Sequence, residues 1–146
     1  MLEIAQKKNL PLLVQADGLW LPFRDGQFDA LTVAFGLRNM ASWDAALCEM
    51  ARVLRPGGRL LVMDFSLPEF APLRALYRLY LHNVLPRFAA MITGNKEAYE
   101  YLGSSIESFP RGRKMQELVK SAGFCDFGAR PLCCGVASIY TARRSL

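Results

Sequence analysis

The sequence predicts an α/β fold: a mostly parallel, doubly wound sheet with a C-terminal antiparallel strand pair, lacking the first βαβ unit. Three observations predict it. Ala46, Leu47, Met50, Val53 and Leu54 recur at helical spacing, then Arg55-Pro56-Gly57-Gly58 leads into the apolar run Leu60–Met63, closed by Asp64. Proline cannot continue a helix, the glycines admit the positive φ that reverses the chain, and an unbroken apolar run suits a strand covered on both faces. Second, a helix at 113–122 is followed by two closely spaced strand patterns, Phe124–Leu132 and Val136–Ala142, joined by Cys133-Cys134-Gly135. Third, no Gly-rich strand-turn-helix precedes Leu12, where a doubly wound fold receives a nucleotide.

The elements follow in order. Met1–Lys8 reads as the tail of a helix, ended by Asn9 and Pro11. Leu12–Ala16 reads as a short strand stopped at Asp17-Gly18, and Phe28–Phe35 as a second, rich in branched and aromatic residues. Gly36–Asn39 is a loop at its carboxyl end. Ser42 is the expected N-cap of the next helix, with Asp44 favoured in the first turn by the dipole. The amphipathic region spans about residues 67–112. Within it, Pro72–Ile92 carries a long apolar face with Pro86 set to break or kink it, and Asn95–Leu102 forms another helix.

Bulk properties narrow the function classes. The chain has 146 residues, enough for one domain, and 52% are hydrophobic, which suits a packed core. Its net charge of +5 is scattered rather than gathered into a run, so no nucleic-acid interface is expected. Cys48, Cys125, Cys133 and Cys134 lack zinc-ligand spacing and read as reduced thiols of a cytoplasmic protein. No metal is expected; His82 is the sole histidine and cannot build a site alone. No apolar stretch approaches the ~20 residues that span a bilayer.

Several motifs occur in a telling order: Asp17-Gly18, Leu21-Pro22-Phe23, Phe28-Asp29, Phe35-Gly36-Leu37-Arg38-Asn39, Arg55-Pro56-Gly57-Gly58-Arg59 and Asp64-Phe65-Ser66. In this order they resemble the class I S-adenosylmethionine-dependent methyltransferases. The segment Gly94–Leu102, with Ser105-Ile106, Phe109-Pro110, Ala122-Gly123-Phe124 and Gly135-Val136, resembles more narrowly the UbiE-type C-methyltransferases of ubiquinone and menaquinone biosynthesis. The resemblance covers the whole chain. It implies an incomplete Rossmann-like class I methyltransferase fold, the C-terminal portion of a single domain over 1–146. Roughly the first third of the family's pattern is absent, including the central strand, which would lie between Leu12–Ala16 and Phe28–Phe35.

The resemblance also implies a chemistry: methyl transfer from the sulfonium of S-adenosyl-L-methionine to a ring carbon of a prenylated quinol. Asp17 and Gly18 would meet the adenine, and Ala34 would offer backbone contacts to the cofactor. An Asp-Gly pair also forms a plain turn, and both readings stay open. Arg38 and Asn39 are the candidate catalytic residues, Arg38 stabilising a ring phenolate or orienting a water and Asn39 fixing its position. Tyr77, Tyr99 and Tyr101 are candidate substrate contacts; Tyr99 and Tyr101, two apart, do not share a helix face. A tail groove or peripheral contact with the inner membrane surface falls to 72–92, and a homo-oligomer would cover the unpaired strand edges. The rival expectation is a non-catalytic remnant or scaffold subunit.

Overall fold

The computed structural model describes residues 4, 7, 12–87 and 96–146. Phe28–Ala34 forms strand β1 and Trp43–Val53 forms helix α1. The Ser42 side chain accepts a hydrogen bond from the Ala45 N–H, satisfying one of the donors that a helix start leaves open. The apolar stripe of α1 packs inward as its period requires: Ala46, Leu47, Met50 and Val53 are all at most 2% exposed.

Strand β2, Leu54–Phe65, runs parallel to β1. Its register steps from Leu54 opposite Phe28 to Arg59 opposite Ala30, so Arg55–Gly58 bulges from the ladder. The Pro-Gly-Gly turn is thus a bulge inside one extended segment. Gly58 is required there, since a Cβ would sit 2.8 Å from the Arg55 carbonyl oxygen.

Helix α2, Ala71–Leu79, passes into a π-helical turn at Tyr80–Val84. Pro86 follows in helical conformation, so the expected break is replaced by this wider turn. A proline lacks the N–H for the normal ladder and clashes with the preceding turn, and a π turn is a known way of absorbing such a fault. Helix α3, Lys96–Ser108, runs beyond the expected Leu102, and Arg113–Ser121 forms helix α4.

Strands β3, Phe124–Leu132, and β4, Ala137–Arg144, form the expected antiparallel pair. The four-stranded sheet has the order β1-β2-β4-β3; β1–β2 is its one parallel pairing and β2–β4 and β4–β3 are antiparallel, so the sheet is mixed rather than mostly parallel as expected, because β4 inserts between β2 and β3. One face, carrying Leu60, Val62, Tyr140 and Ala142, joins the buried side chains of α1 with Met115 and Val119 of α4 in the main core. A smaller core gathers Leu67, Leu81 and Ile106 beneath α2 and α3.

The expected strand Leu12–Ala16 is not formed; the region contributes a single bridge between Asp17 and Trp20. Among the described residues this segment pairs with none of the four strands, so its backbone groups have no ladder to satisfy them. Of the expected Met1–Lys8 helix, Ile4 and Lys7 are helical and the rest lies outside the described residues, as do Phe88–Asn95.

Candidate functional site

The carboxyl ends of the parallel strands β1 and β2 carry the densest polar arrangement of the chain's sequence-predicted residues. Phe35 leaves β1 with φ +55°, a left-handed conformation rare for an aromatic residue, while its N–H still bonds the Met63 carbonyl at 2.8 Å. The chain then turns through Leu37–Asn39, anchored by the fully buried Leu37. This turn carries Arg38 inward. Its Nη1 donates to Asp64 Oδ1 at 2.6 Å and to the Phe35 carbonyl at 3.0 Å, and its guanidinium lies 5.2 Å from the Phe65 ring centroid.

Asp64 is 0% exposed and saturated with donors. Besides the guanidinium, it accepts the Arg38 backbone N–H at 3.2 Å and the Phe65 N–H at 2.9 Å. A buried carboxylate is tolerated only with such pairing, and each charge here depends on the other. The Arg38 side chain is 9% exposed, and its Nε is buried without a hydrogen-bond partner. Asp64, singled out in the sequence as the end of an apolar run but assigned no site role there, is a further candidate site residue. Its signal was an acidic residue closing an apolar strand at the carboxyl end of a parallel sheet, where ligands are received.

Asn39 is exposed, with Nδ2 donating to the Phe35 carbonyl at 3.3 Å. Its Oδ1 accepts the Tyr101 hydroxyl at 3.2 Å, bringing α3 onto the loop. The structure therefore unites Arg38, Asn39 and Tyr101. Tyr99, half-buried on α3, is not drawn into this hydrogen-bond group among the described residues. Tyr77 lies on α2, where it stacks on Tyr80 at 6.3 Å and packs against the smaller core, and burial raises its phenol pKa. It lines an apolar groove of about 370 Å³ with Leu73, Leu76, Leu79 and Val84. His82 faces Glu107 at 3.3 Å, beside Arg78 at 3.0 Å.

Asp17 and Gly18 lie in an exposed turn: Asp17 Oδ1 accepts the Leu19 N–H at 2.9 Å, and the Asp17 carbonyl accepts the Trp20 N–H at 3.0 Å. Gly18 opens onto a cavity of about 370 Å³ along β1, shared with Thr32, Val33, Met40 and Met50 and lined almost wholly by apolar groups. Ala34 is exposed at the end of β1. A charged nucleoside needs converging polar groups, and this apolar lining does not provide them. Among the described residues, those lining this cavity do not by themselves fit S-adenosylmethionine. Among the described residues no cluster of three or more His, Cys, Asp or Glu could hold a metal ion, and no helix is long and apolar enough to cross a membrane.

Residues 2–144 match the ubiE/COQ5 methyltransferase family. A demethylmenaquinone methyltransferase of Corynebacterium efficiens is 40% identical over 142 residues, which cover 97% of this chain and 61% of that protein. One of Thermus thermophilus is 43% identical, covering 99% and 67% respectively. A ubiquinone/menaquinone biosynthesis C-methyltransferase UbiE of Psychromonas ingrahamii is 47% identical over 116 residues, 78% of this chain and 46% of that one. The chain thus spans roughly half to two thirds of the length of these relatives. Among solved structures, a SAM-dependent methyltransferase of Thermotoga maritima superposes with a TM-score of 0.67 at 17% identity, covering 99% of this chain and 69% of that one, and shows the shared fold.

Proposed function

We propose, on the premise that the chain belongs to the ubiE/COQ5 methyltransferase family, that it supplies the acceptor-binding half of an S-adenosylmethionine-dependent C-methyltransferase acting on a prenylated quinol. The observation that carries this reading is the union of Arg38, Asp64, Asn39 and Tyr101 at the carboxyl ends of β1 and β2. That is where a doubly wound sheet receives its ligand. A ring carbon is a weak nucleophile until a ring hydroxyl loses its proton, and a fixed guanidinium stabilises the resulting phenolate. Asp64 holds Arg38 by two contacts, one to the side chain and one to the backbone, so the donor is pre-set before the acceptor arrives. Asn39 and Tyr101, both exposed, offer the outer polar contacts. The groove beside Tyr77 is apolar, matched to an isoprenoid tail.

The methyl donor needs more than these residues supply. The chain by itself is expected to bind S-adenosylmethionine weakly or not at all, because the edge of β1 faces an apolar cavity instead of a cradle of donors. Calorimetric titration showing micromolar affinity would remove that expectation. The activity is tested in a chimera that places the amino-terminal part of the Thermus thermophilus relative ahead of this chain. Single-turnover methyl transfer to a short-tail demethylmenaquinol, with donor saturating, is the readout. Arg38→Lys keeps the charge opposite Asp64 and loses the rigid fork. Its rate should fall about 10²-fold while donor affinity holds. Absence of transfer by a folded chimera that binds the donor sinks the reading.

A further inference from the structure

A polar cavity of about 310 Å³ opens at the carboxyl end of β2, on the sheet face that also carries the buried Asp64. It is built from segments remote in sequence. Tyr140 and Ser138 of β4 lie opposite Val62 and Asp64 of β2, so their side chains share the face that also carries Ser66. All three hydroxyl-bearing residues are nearly closed to solvent, with Tyr140 3%, Ser66 7% and Ser138 7% exposed, yet they line the cavity. The Tyr140 phenol sits beside both serine hydroxyls, and burial raises its pKa, so it remains a donor at neutral pH.

Cations close the opening. Arg111 stands at the start of α4, next to the N-cap Gly112, in a helix with no acidic residue in its first turn. Arg74 reaches in from α2, its Nη1 held only by the Glu69 carbonyl at 3.3 Å. The neighbouring Arg78 and Arg113 are paired with Glu107 and Glu117, whereas Arg74 and Arg111 form no ion pair among the described residues. Among the described lining residues Glu69, exposed at the rim, is the acidic one, and the buried Asp64 carboxylate that acts on the Tyr140 phenol from the same sheet face is already paired with Arg38.

We propose that this cavity is an oxyanion site that takes a phosphate group between Arg74 and Arg111, with the Ser66, Ser138 and Tyr140 hydroxyls as its floor. Paired guanidiniums, buried hydroxyl donors and a helix N-terminus are together the chemistry that recognises phosphate, each adding a charge-assisted hydrogen bond or a favourable field. Phosphate binding there does not depend on the methyl-transfer reading, although Asp64 borders both groups of residues. Its ligand has two sources of the same chemistry. Free phosphate fits the volume, and a phospholipid headgroup is the second source, because α2, which carries Arg74, also exposes Leu76 and Leu79.

Titration of the chain with inorganic phosphate at constant ionic strength, read by calorimetry, is the first arm. Sedimentation with phosphatidylglycerol vesicles, set against phosphatidylcholine vesicles, is the second. Saturable phosphate binding weakened about tenfold by Arg74→Gln and by Arg111→Gln, but not by Arg113→Gln on the same helix end, establishes the site for a free ion. No free-phosphate binding, with phosphatidylglycerol-selective sedimentation lost in the same two variants and kept in Arg113→Gln, establishes it for a headgroup. Tyr140→Phe, which keeps the ring in the core, should weaken whichever ligand binds. The proposal is overturned if neither probe binds, or if Arg113→Gln costs as much as Arg111→Gln.

Discussion

Arg38 and Arg52 are both the hub of a hydrogen-bond cluster, and the two clusters differ in how much water reaches them. Arg38 is 9% exposed and faces a carboxylate that is fully buried. Arg52, with a side chain 33% exposed, lies at the end of α1 and spreads its donors over Glu49, Asp25 and the carbonyls of Leu21 and Phe23. The surface cluster therefore ties the 21–25 loop to a helix through many replaceable contacts, each screened by solvent. The buried pair has one charged partner on each side, and water cannot substitute for either. Similar chemistry gives a tolerant clamp at one place and an all-or-none fixture at the other.

The largest expected effect comes from breaking the buried pair. Asp64→Asn leaves the Arg38 charge uncompensated and should cost about 3–5 kcal/mol of stability, read from urea unfolding. A loss no larger than that of Arg52→Ala would erase the contrast between the two clusters.

Replacing the whole pair, Arg38→Met with Asp64→Leu, should recover much of that loss, since an apolar pair of similar volume needs no charge compensation. Recovery should stop short by about 1–3 kcal/mol, because the backbone N–H groups of Arg38 and Phe65 both lose the Asp64 carboxylate as acceptor. Full recovery would show that those two contacts carry no weight.

Arg52→Ala should destabilise by less than half as much as Asp64→Asn, and molar salt should shrink the Arg52→Ala loss further. A salt-independent loss would place Arg52 with Arg38 rather than against it.

The smallest effect is a pH dependence at the surface cluster. The Arg52 hydrogen bond, helped by the Leu21 N–H and opposed by burial, holds the Glu49 carboxyl below its ordinary range. A depressed folded pKa means the unfolded chain binds the proton more readily. The stabilisation is thus complete above the unfolded value of about 4.3 and is lost as pH falls through the lower folded value. Melting temperatures followed from pH 6 to pH 3 should fall less steeply for Glu49→Gln than for the parent; parallel curves would detach Glu49 from acid stability.

The two clusters also differ in how legible they were. Arg38 and Asn39 stood out as a motif in a loop after a strand, and the structure places them at the sheet's carboxyl end beside Tyr101. Arg52, by contrast, sits at an unremarkable helix position, and its reach to Asp25 and Leu21 crosses most of the β1 segment. No periodicity announces such a contact. Asp64 was visible as the end of an apolar run, but its partner lies 26 residues away.

The sequence by itself determined the elements whose signal is local: the stripe and Ser42 cap of α1, the apolar run of β2, and the boundaries of β3. These depend on side-chain period and turn chemistry within one element. Only the tertiary structure decided which elements find partners. Leu12–Ala16 has a strand's composition and forms none, because a strand is completed by a ladder to a neighbour and this segment makes none with the four strands of the sheet. It likewise decided that Arg38 meets Asp64, and that Ser66, Ser138 and Tyr140 meet in one cavity. The register of strands distant in sequence, set by core packing, brings them together.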